Sequence, residues 1–218
     1  MDTLPTFTPL EARVLGVLIE KEKTVPDSYP LSANTLMLGC NQKTARDPVM
    51  AVSESEVIAA IEGLKAHSLI VESSGGRVMR YAHNARRALK LPEQSVALLA
   101  MLMLRGPQTA GELRLNCDRL HPFGYISSVE AFLDELATAA TPWVVKLPKA
   151  PGSREHRWTH LLCGAVDMDA FEVAPSSGSR RVDSDEVAEL KAEVARLHEE
   201  LAALREAVGR IQNELGLS

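Results

Sequence analysis

A histidine–histidine–cysteine run is the pattern in this sequence that most resembles a metal site. His156, His160 and Cys163 are of types that ligate zinc, and on a helix the spacing of four residues would place the histidines on one face. The surrounding residues predict a strand instead, along which four residues span about 13 Å. Ligands this far apart do not share one ion, so we expect no metal site and no cofactor here.

The other two cysteines, Cys40 and Cys117, lie among apolar residues at helical spacing, with no histidine close in sequence. A thiol nucleophile needs a base or a cationic neighbour, and a disulfide framework needs an even, closely spaced set, so the three cysteines suggest buried thiols. The sequence also contains no phosphate-binding glycine loop, zincin pair, nucleophile elbow or EF-hand loop. We therefore expect a protein that is not an enzyme.

Basic and amide side chains form a pattern that could bind nucleic acid. They lie in a loop before a predicted helix and on the hairpin that follows: Asn41, Gln42, Lys43, Arg46, Arg77 and Arg80. Lysine and arginine neutralise phosphates, and amides bind base edges. Structural explanations stay open as well. Arg46 could pair with a local carboxylate in an Arg-Asp-Pro turn, and Asn41 could end a helix in the left-handed conformation.

Helix-capping signals define the elements that would position these residues. A capping box at 8–11 starts a first helix at Pro9, a serine cap at 32 starts a second, and a capping box at 53–56 starts a third. Two short runs at 69–72 and 78–82, separated by small residues and glycine, predict a β-hairpin. The first part of the chain therefore has the order helix, helix, helix, hairpin.

The same order recurs in the next part of the chain. A helix over 92–104 precedes a capping box at 109–112, a helix that begins at Ser128, and a hairpin formed by 143–147 and 156–162. Three helices followed by a hairpin is the order of a winged helix, a variant of helix-turn-helix. We therefore predict a mainly α protein with small β-hairpins (α+β), with tandem winged-helix domains at 1–90 and 91–165.

The C-terminal segment carries the most regular pattern. Its apolar residues alternate at spacings of three and four: Val187, Leu190, Val194, Leu197, Leu201, Leu204, Val208, Ile211 and Leu215. This seam predicts a coiled-coil dimerisation helix over 183–218, after a Pro/Ser/Gly-bearing linker at 166–182. A single amphipathic helix folded back on the domains is the alternative. Valine at most a positions, leucine at most d positions and opposite charges on the flanks favour a parallel homodimer.

The acidity of the chain lies in this segment. Residues 166–218 hold 6 Lys and Arg against 12 Asp and Glu, whereas residues 1–90 hold 11 against 10 and residues 91–165 hold 7 against 7. The net charge of −5 therefore says little about DNA binding by the domains. Both predicted third helices are nevertheless acidic, with three carboxylates each and a single lysine between them.

The N-terminal residues lack the basic and apolar blocks of a signal peptide, and no apolar run approaches the roughly 20 residues of a membrane-spanning helix. We therefore expect a cytoplasmic protein that does not bind a membrane.

The chain also contains four ordered blocks: EKE at 20–22, VPDSYPL at 25–31, CNQK at 40–43 and RDPV at 46–49. In these blocks, and over about residues 7–162, it closely resembles the bacterial YceH family of uncharacterised proteins. The resemblance implies a tandem winged-helix fold and no enzymatic activity. It carries no functional residues over to this chain.

Two functional hypotheses follow from these observations. In the first, the protein is a dimeric regulator that binds duplex DNA through the basic loop and the first wing. In the second, it is a winged-helix adaptor whose acidic third helices and apolar surfaces bind an unknown protein, without direct DNA contact. The usual role of the fold favours DNA, whereas the charge of the third helices favours the adaptor.

Overall fold

The structure, a computed structural model, describes residues 6–74, 78–149 and 152–166. Helices predominate there, and the strands form two small antiparallel hairpins, which confirms the predicted α-rich α+β class. In chain order the elements are α1 (Pro9–Thr24), a 3₁₀ turn (Pro26–Ser28), α2 (Ala33–Cys40), α3 (Glu54–Ala66), β1 (Ile70–Ser73), β2 (Arg80–His83), α4 (Ala85–Leu89), α5 (Glu93–Arg105), α6 (Ala110–Asn116), α7 (Ile126–Thr138), β3 (Val144–Lys146) and β4 (Trp158–His160). The predicted coiled coil over 183–218, with its dimerisation residues, lies outside the described residues.

Capping boxes start three of the helices where the sequence predicts them. At α1, the backbone N–H of Glu11 donates to Thr8 Oγ1 at 3.2 Å, and the Glu11 carboxylate accepts from the Thr8 N–H at 2.6 Å. Reciprocal pairs of the same kind cap α3 and α6. Because a box satisfies two backbone donors that a helix N-terminus otherwise leaves free, these helix starts are fixed by local sequence.

Three local features differ from the sequence prediction. Helix α7 begins at Ile126 rather than at Ser128, and its N-cap, Tyr125, makes no side-chain capping bond, so no capping signal marks this start. Helix α4 was not predicted, because five residues are too few to show a helical period; it ends at Lys90 in the left-handed conformation, with φ 55°. The 3₁₀ turn at Pro26–Ser28, between α1 and α2, was not predicted either.

The repeat seen in the sequence extends to a further strand-like pairing. Between α1 and α2, Leu31 exchanges two backbone hydrogen bonds with Tyr81 of β2, at 3.1 and 2.8 Å. Between α5 and α6, Gln108 exchanges two with Trp158 of β4, at 3.0 and 2.7 Å. Each hairpin therefore gains a one-residue third strand from the segment that joins the first and second helices of its copy.

Helices α1 and α5, the first helices of the two copies, pack directly against each other. Gly16 permits the close approach, since a methyl group added there would lie 3.0 Å from Leu104 Cγ and 3.4 Å from the carbonyl oxygen of Ala100. The Asp47 N–H also donates to the carbonyl of Leu104 at 2.8 Å. Buried apolar residues of both copies consequently form one continuous hydrophobic core. Among the described helices, none has the length and apolar content to cross a membrane.

Candidate functional site

The loop between α2 and α3, residues 41–52, contains four of the predicted nucleic-acid contacts. Two buried arginines hold this loop from the inside. Arg13, fully buried in α1, donates from Nη1 to the carbonyl of Cys40 at 3.1 Å and from Nη2 to the carbonyl of Pro48 at 2.7 Å. The guanidinium thus bridges the end of α2 and the far side of the loop, and charge-assisted hydrogen bonds of this kind are among the stronger ones in proteins.

Arg46, the second arginine, is one of the predicted contacts. Its side chain is buried and donates to both carboxylate oxygens of Glu20 in α1, at 3.1 and 2.6 Å, and to the carbonyl of Gly39 at 3.1 Å. Burial tends to raise the pKa of Glu20, but the hydrogen bonds and charge of Arg46, with Lys21, outweigh it and leave that pKa lowered. The predicted pairing with a local carboxylate is wrong: the partner lies 26 residues away in sequence.

Asn41 and Gln42 also make hydrogen bonds within the domain. The Asn41 amide donates to the carbonyl of Val52 and accepts from the Val52 N–H, both at 2.8 Å, which ties the two ends of the loop together. Gln42 Oε1 accepts from Arg46 Nη2 at 2.6 Å. The left-handed conformation suggested for Asn41 is wrong, since its φ is −86°.

Arg80, at the start of β2, also donates hydrogen bonds within the domain. Its Nη1 donates to the carbonyl of Pro30 at 2.8 Å, one residue before the bridging Leu31. Arg157 in the second copy donates to the carbonyl of Pro107 at 2.7 Å, one residue before the bridging Gln108. Each arginine therefore holds the one-residue strand of its copy against the hairpin. This shared role of the two arginines was not predicted from the sequence. The sequence does carry a signal for it, because in each copy a proline precedes the bridging residue and an arginine precedes the aromatic residue of the hairpin.

Two predicted contacts remain. Lys43 is exposed, with no hydrogen bond or ion pair to any described residue. Arg77 lies outside the described residues. Of the six predicted contacts, Asn41, Gln42, Arg46 and Arg80 thus form internal hydrogen bonds, and nucleic-acid binding by the set stays a prediction.

The exposed face of α3 is acidic. Glu54, Ile58 and Glu62 follow one another at intervals of four residues, so they lie on one side of the helix, and all three are exposed. The single lysine of this helix, Lys65, forms ion pairs with Glu62 at 3.0 Å and with Glu72 of β1 at 2.7 Å. No cation of α3 is therefore left unpaired.

Helix α7 is acidic as well and adjoins exposed apolar side chains. Glu130, Asp134 and Glu135 are exposed, and the helix contains no lysine or arginine. At its N-terminus, Tyr125 is 76% exposed and Ile126 46%, and Leu115 at the end of α6 is 67% exposed. A surface of carboxylates beside apolar side chains is better suited to binding a protein than to binding the phosphate backbone of DNA.

Two of the three cysteines are buried and the third is exposed. Cys40 and Cys117 are buried, as predicted, and burial raises their pKa values to about 11 and about 12. The prediction of a buried thiol is wrong for Cys163, which is exposed. His156 Nδ1 lies 2.9 Å from the carbonyl oxygen of Leu147. In the part of the chain that the structure describes, no cluster of three His, Cys, Asp or Glu side chains could hold a metal ion.

Comparison with known proteins places the chain in a family. Residues 7–153 match the family model described as "Protein of unknown function, DUF480". The chain is 58% identical over 214 residues to a UPF0502 protein of Burkholderia lata, covering 98% of this chain and 91% of that protein. It is 61% identical over 216 residues to a UPF0502 protein of Burkholderia pseudomallei, with the same coverage. The resemblance to an uncharacterised bacterial family is thereby confirmed, and the protein belongs to the UPF0502 (DUF480) family.

Proposed function

We propose that the protein is a non-enzymatic tandem winged-helix adaptor, which binds a protein partner through α3 and α7 and makes no direct contact with DNA. The order of three helices and a hairpin in each copy supports the winged-helix assignment. The backbone pairs Leu31–Tyr81 and Gln108–Trp158 support it further, because they add the third strand of the small sheet that backs such a domain.

The observation that carries the proposal is the charge of the two third helices. In a DNA-binding winged helix this helix enters the major groove, between two rows of phosphates. Here the exposed faces of α3 and α7 present glutamate and aspartate, and the one lysine is already paired. Such faces repel phosphates and attract basic surfaces, so a protein partner is the better match.

Exposed apolar side chains lie beside the carboxylates of α3 and α7 and could form the apolar part of a protein interface. Ile58 lies between the carboxylates of α3, and Tyr125 and Ile126 adjoin those of α7. Interfaces place aromatic and aliphatic anchors at their centre and charged side chains at their rim. A partner with basic residues around an apolar groove would fit both helices.

The DNA-binding regulator is the competing function, and the internal bonds of Asn41, Gln42, Arg46 and Arg80 count against it. A side chain that already holds the loop or the sheet must break these bonds before it reaches a phosphate. Lys43 makes no hydrogen bond or ion pair with any described residue, so it could contact a phosphate without first breaking an internal bond.

Site-specific photo-cross-linking in cells tests the adaptor. p-Benzoylphenylalanine in place of Ile58 or of Ala131, both exposed on the third helices, should yield a discrete protein adduct that mass spectrometry identifies. The same amino acid in place of Val25, an exposed residue that belongs to neither third helix, is the matched control. The adduct should disappear in the Glu54→Lys/Glu62→Lys background, because charge reversal repels a basic partner. Adducts to DNA alone, or protein adducts that survive charge reversal, would contradict the proposal.

A further inference from the structure

A cavity of about 610 Å³ lies where the two copies of the repeat meet, between the end of α1, helix α4 and the start of α5. We call it the junction cavity. Its volume is in the range of small-molecule sites, which commonly lie between domains. Part of its wall is apolar, formed by Ile19, Leu91, Val96 and Leu120. These side chains could cover an apolar ligand body of modest size.

Two arginines supply positive charge in the lining of the junction cavity. Arg86 and Arg87 of α4 are exposed and line the cavity, and neither has a hydrogen bond or an ion pair with any residue that the structure describes. Lys23 and Glu93, which also line it, form an ion pair with each other and so largely cancel. The two arginines outnumber Glu22, the remaining carboxylate of the lining, so the cavity keeps an excess of positive charge that a carboxylate, sulfonate or phosphate could neutralise.

His83 also lines the junction cavity, beside the Glu22 carboxylate. Its side chain is only 7% exposed, and its Nδ1 accepts from the Ala85 N–H at 3.3 Å, so Nε2 bears the hydrogen of the neutral ring. Nε2 lies 3.2 Å from the Glu22 carboxylate but makes no hydrogen bond of good geometry. Burial lowers the pKa of His83, and the nearby Glu22 carboxylate opposes this shift.

We propose that the junction cavity binds a small organic anion with an apolar body. The acid group lies at Arg86 and Arg87, and the body lies on Leu91, Val96 and Leu120. Glu22, whose carboxylate also lines the cavity, repels a second acid group. The ligand would contact α1 of the first copy and α5 of the second at once. This inference does not depend on the proposed function.

Titration of the full-length protein with the fluorescent dye anilinonaphthalene sulfonate, an apolar anion, tests the inference. We expect saturable binding at one site, displacement by octanoate, and displacement by uncharged octanol that is at least about tenfold weaker. Arg86→Ala/Arg87→Ala should weaken dye binding at least about tenfold, which is the loss of one charge-assisted contact. Leu91→Glu, which places a carboxylate on the apolar wall, should weaken it as well.

The matched control is Lys43→Ala/Lys149→Ala, which removes two exposed cations that do not line the junction cavity and should leave dye affinity within about twofold. Circular dichroism verifies that each variant is folded. Three results would overturn the inference: no saturable binding, no displacement by octanoate, or an equal loss of affinity in the control variant.

Discussion

Arg46 binds the loop after α2 to helix α1 through a buried guanidinium that is fully occupied by Glu20, Gln42 and backbone carbonyls. Removing one member of a buried ion pair leaves the other charge without compensation, which is far more costly than losing an exposed pair.

Arg46→Ala should therefore lower the free energy of unfolding by about 3 kcal/mol, since Glu20 then keeps a partly buried carboxylate without its main partner. Lys43→Ala, three residues earlier and exposed, should change it by no more than about 0.5 kcal/mol. Urea denaturation followed by circular dichroism measures both. Similar, small losses in the two variants would mean that Arg46 is not the structural centre of the loop.

His160 on β4 gives the stability a pH dependence. Burial lowers its pKa from 6.5 to about 4. As the pH falls from 6.5 to 4, His160 becomes protonated in the unfolded chain before it does in the folded one. The free energy of unfolding therefore decreases over this pH range, and His160 contributes up to about 3 kcal/mol of the decrease. In His160→Gln, which cannot be protonated, the decrease over the same window should be smaller. Identical pH profiles for the two proteins would refute this assignment.

The role of single residues was the least predictable part of this molecule. The sequence shows polar residues in the loop after α2 and in the first hairpin, namely Asn41, Arg46 and Arg80. Their partners, Glu20, Val52 and Pro30, lie 26, 11 and 50 residues away. Pairings over such distances depend on how the helices pack, which local patterns do not contain.

Among the elements, the contact between α1 and α5 joins the two copies of the repeat. Gly16 has no side chain to separate them, and Leu104 and Ala100 of α5 occupy the space beside it. Because well-packed interiors do not absorb added atoms without strain, this position is sensitive to size.

Gly16→Leu should lower the free energy of unfolding by about 2 kcal/mol or more through overpacking. Gly111→Leu in α6 is the matched control, because a methyl group there meets nothing closer than 3.8 Å; it should be neutral or stabilise by up to about 1 kcal/mol through helix propensity. Thermal or urea unfolding of the two variants measures the difference. Equal effects would show that the glycine does not set the spacing of α1 and α5.

Helix starts with a capping side chain were predictable, including that of α2 after Ser32, whereas the uncapped start of α7 was not. The boxes at Thr8, Ser53 and Thr109 give the starts of α1, α3 and α6 correctly. Helix α7 starts after Tyr125, which makes no capping bond, so its start was placed two residues late. The one-residue strands at Leu31 and Gln108 leave no alternating pattern in the sequence, and they were missed.

At the scale of the whole molecule, the described residues form one hydrophobic core, and the third helix of each copy is acidic. The heptad seam falls outside the described residues. The seam supports the proposal that two copies associate in parallel through 183–218. An adaptor built this way would present two sets of acidic faces, and two linked binding surfaces raise the overall affinity for a partner that can reach both.

Light scattering coupled to size-exclusion chromatography tests this assembly. The full chain should have the mass of a dimer at micromolar concentration, and a chain that ends before residue 183 should have the mass of a monomer, because the apolar seam is removed. Leu197→Lys, near the middle of the seam, should give the same result without truncation. A full-length monomer would rule out the dimer.

The central claim, that this protein recognises protein rather than DNA, is tested most directly by fluorescence anisotropy with a labelled duplex across a series of salt concentrations. The acidic faces of α3 and α7 and the internal bonds of the loop arginine predict no binding at about 50 mM salt and about 10 µM protein. The contradicting result is binding that falls steeply with salt, with a slope that Lys43→Ala flattens by about 1.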